Sequence, residues 1–232
     1  MIAQVVNALA IAVGALVGNK LRGGISERFR SILMQAMALA VMLIGIAGAV
    51  KTTDALIVVI SLAIGALVGE GVNIEKRLEQ VGDALKRRVK GAEASFTQGF
   101  VSASLIFCVG AMAIVGSLDA GLRGEYSTIL TKSLIDGITA AMLASTLGLG
   151  VIFSAVAVFV YQGAITLLAG LLQPLLTEAI ITEMSAVGGL LIFAIGLNMQ
   201  GITKIRVGNL LPAILVPLAY IPIYNWIMAM IK

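Results

Sequence analysis

Long apolar runs with almost no charge constrain this chain more than any other feature. Of its 232 residues, 59% are hydrophobic and 12% are charged, whereas a soluble domain is about 45–50% apolar and about 25% charged. The charges are confined to a few loops, so most segments lack the polar face of a soluble helix. About 20 consecutive apolar residues cross a bilayer. The sequence therefore predicts an all-α polytopic membrane protein, with one transmembrane domain over residues 1–232.

About eight segments are apolar enough to be spans. They are residues 2–18, 31–50, 55–70, 97–116, 128–147, 150–172, 184–200 and 208–230. The first, third and seventh are short, so seven crossings with one re-entrant segment is the alternative. The N-terminus lacks the basic region of a cleaved signal peptide, so we interpret it as the first span, retained in the mature protein.

The basic residues predict the orientation. With eight spans, the loops 19–30, 71–95 and 201–207 share one face and hold twelve of the sixteen Lys and Arg residues. Cytoplasmic loops carry this excess. We therefore expect a bacterial inner-membrane protein with both termini outside. The same distribution explains the formal charge of +4, so we expect the lipid bilayer, and not nucleic acid, as the partner of these clusters.

The segment 73–90 differs from the spans because it is rich in charge. Ile74, Leu78, Val81 and Leu85 are spaced four, three and four residues apart and form one apolar stripe. This pattern is typical of an amphipathic helix lying on the cytoplasmic membrane surface. A simple anchoring element and a specific anionic-lipid site are both compatible with it.

Two GxxxG motifs occur in spans that run in the same direction. Gly14 and Gly18 lie in the first, and Gly65 and Gly69 lie in the third, each within the letters GALVG. Such glycines let helix backbones approach closely. We therefore assign these four residues to helix packing.

A second internal sequence similarity relates spans that run in opposite directions. The letters SLIFCVG at 104–110 resemble LLIFAIG at 190–196. Opposed copies are typical of inverted-repeat transporters. Apolar helices also match by composition alone, so internal duplication and coincidence both stay open.

Lys132 and Asp136 place charge inside the fifth span. They are four residues apart on one helix face, and Asp136 falls near the middle of the span. A charge at that depth costs at least about 2.5–3.5 kcal/mol, so both groups must face protein or water. An intramembrane carboxylate indicates a functional site by default, and a structural ion pair is the alternative.

Several other residues are candidates for a transport site because they are polar, small or helix-breaking within the last two spans or at their edges. Prolines and paired glycines there leave backbone groups free, and transporters use such groups to hold ions and anions. Kinks that serve packing alone are the alternative. These candidates are Glu183, Ser185, Gly188, Gly189, Asn198, Asn209 and Pro212.

Enzyme signatures are absent from the sequence. It has no His, one Cys, no HExxH or His/Cys metal cluster, no P-loop and no GxSxG. We therefore expect no enzyme activity, no metal site and no cofactor.

The chain resembles a known bacterial family. The stretches SLIFCVGAMAIVGSLDAGLRGEYSTILTKSLIDGITAAMLASTLGLGV and EMSAVGGLLIFAIGLNMQGITKIRVGNLLPA are similar to the multi-pass family labelled domain of unknown function 554. The likeness runs from Asn7 to Pro212. It implies a multi-pass, transport-related membrane protein with no established substrate. The residues that look like the family pattern are Phe107, Cys108, Gly110, Gly116, Lys132, Asp136, Glu183, Ser185, Gly188, Gly189, Asn209 and Pro212.

Three functions are compatible with these features. The first is a secondary transporter of an ion or small polar solute, in which Asp136 is the coupling-ion or proton site and Lys132 tunes it. In that hypothesis Ser185, Gly188, Gly189 and Asn198 line the solute path, while Asn209 and Pro212 shape the last helix. The second is a channel, formed by a homo-oligomer whose pore is lined by the GxxxG helices. The third is a non-transporting partner- or lipid-binding protein that uses segment 73–90.

Overall fold

The computed structural model describes residues 1–22, 24, 26–89 and 93–231. Over these residues the chain is helical, with short connections and no strand, as the sequence predicts. The helices, in chain order, are α1 (Ile2–Arg22), α2 (Glu27–Ala49), α3 (Ala55–Val72), α4 (Ile74–Arg88), α5 (Phe96–Cys108), α6 (Ala111–Leu122), α7 (Ser127–Leu147), α8 (Gly150–Leu167), α9 (Ala169–Leu172), α10 (Glu178–Met199), α11 (Val207–Leu210), a 3-10 helix (Leu211–Leu215) and α12 (Val216–Ile231).

The span count agrees approximately with the predicted eight. Six segments of the described chain are single helices long and apolar enough to cross a membrane, and the bent pair α5–α6 brings the number to seven. Helix α7 is not among them because Lys132 and Asp136 lower its hydropathy, although it has 21 residues. We count α7 as a further crossing because it lies alongside α1.

The outward surface of the helices is apolar. Leu43, Leu67 and Val156, from three different helices, are 68%, 78% and 63% exposed. A soluble protein rarely leaves so many large apolar side chains in contact with water. Lipid is the solvent that such a surface requires.

Three predicted spans differ from single straight helices. The expectation of one helix over 97–116 is wrong, because α5 ends at Cys108 and α6 leaves it at 61°. Gly110 between them has φ +135°, a conformation that side chains disfavour. Span 150–172 ends as α8 at Leu167 and continues as short α9, and span 208–230 begins with α11 and the 3-10 helix. By contrast, the short spans α1, α3 and α10 are continuous helices of 21, 18 and 22 residues.

Polar contacts define the two ends of the bundle. At one end, called the basic end because Arg22 and Arg206 lie there, Arg206 pairs with Glu70 of α3 at 2.7 Å. Ser95 before α5 donates to the Leu147 carbonyl at the close of α7 at 3.0 Å. At the opposite end, Thr52 and Thr53 between α2 and α3 donate to Glu183 of α10. Successive helices therefore run from one of these two polar ends of the bundle to the other.

Helix α4 lies at the basic end and matches the helical part of the predicted segment 73–90. Gly82 packs on Thr97 of α5, since an added Cβ would overlap that side chain. Of the apolar stripe, Ile74, Leu78 and Leu85 are half-buried, and Val81 is 51% exposed. Lys90 lies outside the described residues.

Glycines bring α1 and α7 together. A Cβ at Gly14 would overlap the Gly137 carbonyl, and one at Gly18 would overlap the Ala141 carbonyl. The contact positions rise together along both chains, so the two helices are parallel and their backbones touch. This is the closest type of helix contact that small residues permit.

The second pair of glycines packs α3 against α11 and the 3-10 helix. Gly65 lies against Ala213 of the 3-10 helix, and Gly69 lies against the backbone of Asn209 in α11. These two contacts rise along α3 as they fall along α11 and the 3-10 helix. The pairing is therefore antiparallel.

Helices α5 and α10 also run in opposite directions. Val101 and Ile195 line the same cavity, and Val109 touches Gly188 seven residues earlier in α10. The antiparallel direction is the one expected for the similar segments 104–110 and 190–196. Internal duplication itself stays a prediction.

Candidate functional site

Lys132 and Asp136 are the centre of a buried polar cluster. Their side chains form an ion pair and are only 8% and 7% exposed. Asn7 of α1 donates its Nδ2 to Asp136 Oδ2 at 3.2 Å and to Gln162 Oε1 of α8 at 3.1 Å. The charged pair predicted from sequence therefore faces protein, and three helices meet around it.

A second group of polar side chains continues the cluster toward the N-terminus of α1. Gln4 donates to Thr166 Oγ1 at 2.7 Å, and Thr166 donates to the Ser117 carbonyl at 3.1 Å. Together these contacts tie α1, α6, α7 and α8 by polar groups inside the bundle. Because buried hydrogen bonds fix geometry, the cluster specifies how these four helices pack.

Several atoms of the cluster have no hydrogen-bond partner among the described protein atoms. They are Gln4 Oε1, Asn7 Oδ1 and Gln162 Nε2, on side chains with no exposed surface. Leaving a buried polar atom unpaired costs about 1–3 kcal/mol. Two acceptors and one donor therefore remain available to an ion, a proton carrier or a water molecule.

The helical repeat of α1 explains why its amides meet α7 and α8. Gln4, Asn7, Ile11, Ala15 and Gly18 are spaced by three or four residues and are all buried, so they form one stripe. Along this stripe the side chains are polar toward the N-terminus and apolar beyond it. The amides therefore sit beside Asp136, while the glycine contact holds the helices together further along.

A small cavity, called the inner cavity, lies at the break between α5 and α6. It measures about 180 Å³ and is lined by Cys108, Gly110, Tyr161, Ser185, Leu211 and Leu215, among others. It is close to the polar cluster, because Lys132 Nζ lies 6.0 Å from the ring centroid of Phe107, next to Cys108. The break therefore places this cavity close to the ion pair.

A larger cavity, called the vestibule, lies at the basic end. It measures about 450 Å³ and is lined by acidic residues of α4, namely Glu75, Glu79 and Asp83, together with residues of α5, α10 and α11. Leu105 lines both the vestibule and the inner cavity. One side chain of α5 therefore borders both spaces.

Glu75 joins α4 to the α11 region. Its carboxylate accepts the Gly208 N–H, while its own N–H donates to Asn209 Oδ1 at 2.7 Å. Burial raises the pKa of the Glu75 carboxyl, the Gly208 hydrogen bond lowers it, and the charge of Glu79 raises it further. The net result is a carboxyl whose pKa lies above its ordinary value.

Two predicted site residues lie close to the inner cavity. Ser185 lines it and is 8% exposed, and its Oγ has no hydrogen-bond partner within the described part of the chain. Gly188 touches Val109 at the break, where an added Cβ would overlap. Gly189 faces α2 instead, against Gly45 and Ala49.

Two predicted residues, Asn198 and Glu183, have polar groups engaged in structural contacts. Asn198 closes the loop after α10, donating to the Ile205 carbonyl at 2.7 Å and accepting its N–H at 2.9 Å. Glu183 accepts from Thr52 and Thr53, including the Thr53 N–H at 2.7 Å.

Asn209 links α11 to two other helices. It donates to Glu70 at 2.7 Å and accepts from the Glu75 N–H. Pro212 lies at the start of the 3-10 helix, two residues from the cavity-lining Ile214. Pro212 itself is not part of the cavity wall, although its neighbour Leu211 is.

No sequence pattern singled out Gln4, Thr166 or Tyr161 as site residues. The buried stripe of α1 was a usable signal for Gln4 and Asn7. No group of three or more His, Cys, Asp and Glu side chains suited to a metal occurs in the ranges described above.

The fold and its buried charge define a multi-pass helical membrane protein. A family model described as "Protein of unknown function (DUF554)" matches residues 2–221, so the chain belongs to this family. The chain is 34% identical over 221 residues to the "Uncharacterized membrane protein YdfK" of Bacillus subtilis (strain 168), covering 94% of each chain. It is 33% identical over 220 residues to the "Uncharacterized protein YqgA" of Escherichia coli (strain K12), covering 93% of this chain and 94% of that one. No solved structure matches it.

Proposed function

We propose that this protein is a secondary transporter of an ion or small polar solute in the bacterial inner membrane. The observation that carries the proposal is the buried Lys132–Asp136 pair, held by Asn7, whose own Oδ1 and whose partner Gln162 Nε2 have no hydrogen-bond partner in the described chain. Charged groups in membrane spans are costly, and those kept in protein interiors mark ion and proton pathways.

The orientation follows from the distribution of charge. Cytoplasmic loops carry an excess of Lys and Arg, so the basic end faces the cytoplasm and both termini lie outside. The vestibule then opens to the cytoplasm, and the inner cavity lies deeper in the bundle.

Asp136 is the coupling site in this mechanism. An ionised carboxylate holds the Lys132 ammonium and accepts from Asn7. When Asp136 binds a proton or a cation, its attraction for Lys132 weakens, and the ammonium, already near Phe107, acts more strongly on the α5–α6 break. Binding of a proton or cation to Asp136 thus changes the electric field at the inner cavity. Coupling requires such an effect of one site on the other.

The test uses proteoliposomes containing the purified chain and an internal pH-sensitive dye. Inward gradients of Na⁺, K⁺, acetate, isobutyrate, alanine and isopropylamine are imposed in turn. We expect at least one gradient to drive a protein-dependent pH change, and Asp136→Asn to reduce it about tenfold or more.

The matched control is Asp119→Asn, which removes a carboxylate that pairs with Arg123 near the end of α6 and is 24% exposed. This variant should retain the wild-type rate, and both variants are checked for wild-type gel-filtration elution. Equal flux through Asp136→Asn and wild type, or no difference from empty liposomes with every gradient, would contradict the proposal.

A further inference from the structure

We propose that the inner cavity binds the carboxylate of a small solute, with Ser185 and the N-terminus of α6 as the recognising groups. This inference deepens the proposed function by naming the solute class, and it rests on that function only for the meaning of the site in transport. Binding itself is tested separately from flux.

The first argument is the local structure of the break. Helix α6 has 12 residues, and its N-cap is Gly110, which has no side chain to cap the first turn. The N–H groups of a helix N-terminus carry partial positive charge and favour anionic oxygens. Gly110 also lines the cavity, so this end of α6 borders the space.

The second argument is independent of the helix. Ser185 comes from α10, is more than nine-tenths buried and lines the same cavity. Its Oγ has no hydrogen-bond partner in the described structure, although serines in a helix usually bond back to the preceding turn. Ser117, Ser133 and Ser154 all do so here. Ser185 is therefore a buried serine of the cavity wall whose hydroxyl no described protein atom satisfies, as is also the case for Ser61 and Ser104 away from this wall.

The third argument is the charge around the cavity. The polar side chains on its wall are the hydroxyls of Ser185 and Tyr161 and the thiol of Cys108, and no Asp or Glu of the described chain lines it. The Lys132 ammonium lies 6.0 Å from the ring centroid of Phe107, the residue before the cavity-lining Cys108. The donors and the helix N-terminus favour a negatively charged group, whereas the Lys132 ammonium is paired with Asp136 and adds no net charge.

The size and the apolar walls limit the rest of the solute. A volume of about 180 Å³ is below the roughly 300–1,000 Å³ typical of drug-sized ligands. Leu211, Ile214, Leu215 and Met184 supply apolar surface. The solute is therefore a carboxylate with a short apolar body, such as a small fatty acid or a small apolar amino acid.

The vestibule distinguishes these two sources. Glu75, Glu79, Asp83 and Lys86 lie at its wall, so the charged side chains of the wall are mostly acidic. A simple anion is repelled by this surface, whereas an amino acid carries no net charge. If both compounds bind the inner cavity through their carboxylates, the amino acid should therefore pass the vestibule more readily than the simple anion.

The experiment measures ligand-induced thermal stabilisation of the purified full chain with isobutyrate, alanine and isopropylamine. We expect stabilisation by one or both carboxylates and none by isopropylamine. Ser185→Ala should raise Kd about tenfold or more, because it removes a hydrogen bond to a charged group. The matched control is Ser61→Ala, which removes another buried serine hydroxyl without a described partner, located in α3.

A second readout uses Cys108, the single cysteine of the chain, which lines the cavity. A bound carboxylate should slow its alkylation by N-ethylmaleimide in wild type and less so in Ser185→Ala. Stabilisation by isopropylamine alone, by no compound, or equally in wild type and Ser185→Ala overturns the inference. Carboxylate binding without flux would overturn the transport proposal but leave this site intact, and Asp136-dependent flux without carboxylate binding would do the reverse.

Discussion

Removing one member of the Lys132–Asp136 pair should destabilise the protein far more than removing both. We consider Lys132→Met, Asp136→Asn and the double variant. Both side chains are less than a tenth exposed, so the pair belongs with buried ion pairs and not with surface pairs worth about 0–1 kcal/mol.

The magnitudes follow from what each variant leaves behind. Lys132→Met leaves a carboxylate with Asn7 as its remaining donor, and breaking a buried pair in this way costs about 3–5 kcal/mol. Asp136→Asn leaves an ammonium near the Phe107 ring, whose attraction offsets about 0.5–2 kcal/mol. The double variant leaves no buried charge and keeps an amide near Asn7, so we expect it within about 1 kcal/mol of wild type.

The assay is equilibrium unfolding in mixed micelles of increasing SDS fraction, followed by far-ultraviolet circular dichroism. The three variants and wild type form a double-mutant cycle, and we expect an interaction energy of at least about 3 kcal/mol. A double variant whose loss equals the sum of the two single losses would refute the argument, because it would show that the charges do not compensate one another.

Two further outcomes test the packing and the α4 contact. Gly14→Ala should destabilise by about 1–3 kcal/mol in the same unfolding assay because its Cβ overlaps the Gly137 carbonyl, whereas Gly71→Ala, with no atom within 4 Å of the added Cβ, should be neutral or stabilising. Since the folded-state pKa of Glu75 is raised, the folded form holds its proton longer, and hydrogen-exchange protection of α4 should fall as pH rises above about 4.5. Glu75→Gln should abolish this slope, and a wild-type protection that increases over that range would show the sign to be wrong.

The sequence was sufficient for the features set by composition and local spacing. Apolar runs predicted an all-helical membrane protein, because lipid allows few other structures. The i, i+4 spacing of Lys132 and Asp136 also predicted that they pair, and they do. The break at Gly110 was missed because one glycine in an apolar run is compatible with a continuous helix, and only its φ of +135° decides.

The partners of the charged pair could not be found from spacing. Asn7 and Asp136 are 129 residues apart, and nothing local indicates that α1 runs parallel to α7. Similarly, Asn198 was interpreted as a path residue and Asn209 as a residue that shapes the last helix, and no local pattern indicated which loops and helix starts their amides hold together. Residue type gave the candidates, and tertiary contacts determined which polar atoms remain available.

Among the polar atoms without a partner in the described chain, some lie near the Lys132–Asp136 pair and one belongs to a residue of the inner cavity, while Ser61 and Ser104 carry others. Asn7 contacts Asp136, Gln162 contacts Asn7, and Gln4 lies one turn from Asn7 in α1, while Ser185 lines the inner cavity. A cation or proton at Asp136 and a carboxylate in the cavity would both act on the same ammonium, the first by releasing it and the second by attracting it. Each event therefore favours the other, and reciprocity of binding free energies requires that affinity for the carboxylate increase as Asp136 becomes neutral. Asp136→Asn should consequently bind the carboxylate at least as tightly as wild type even though its coupled flux is lost.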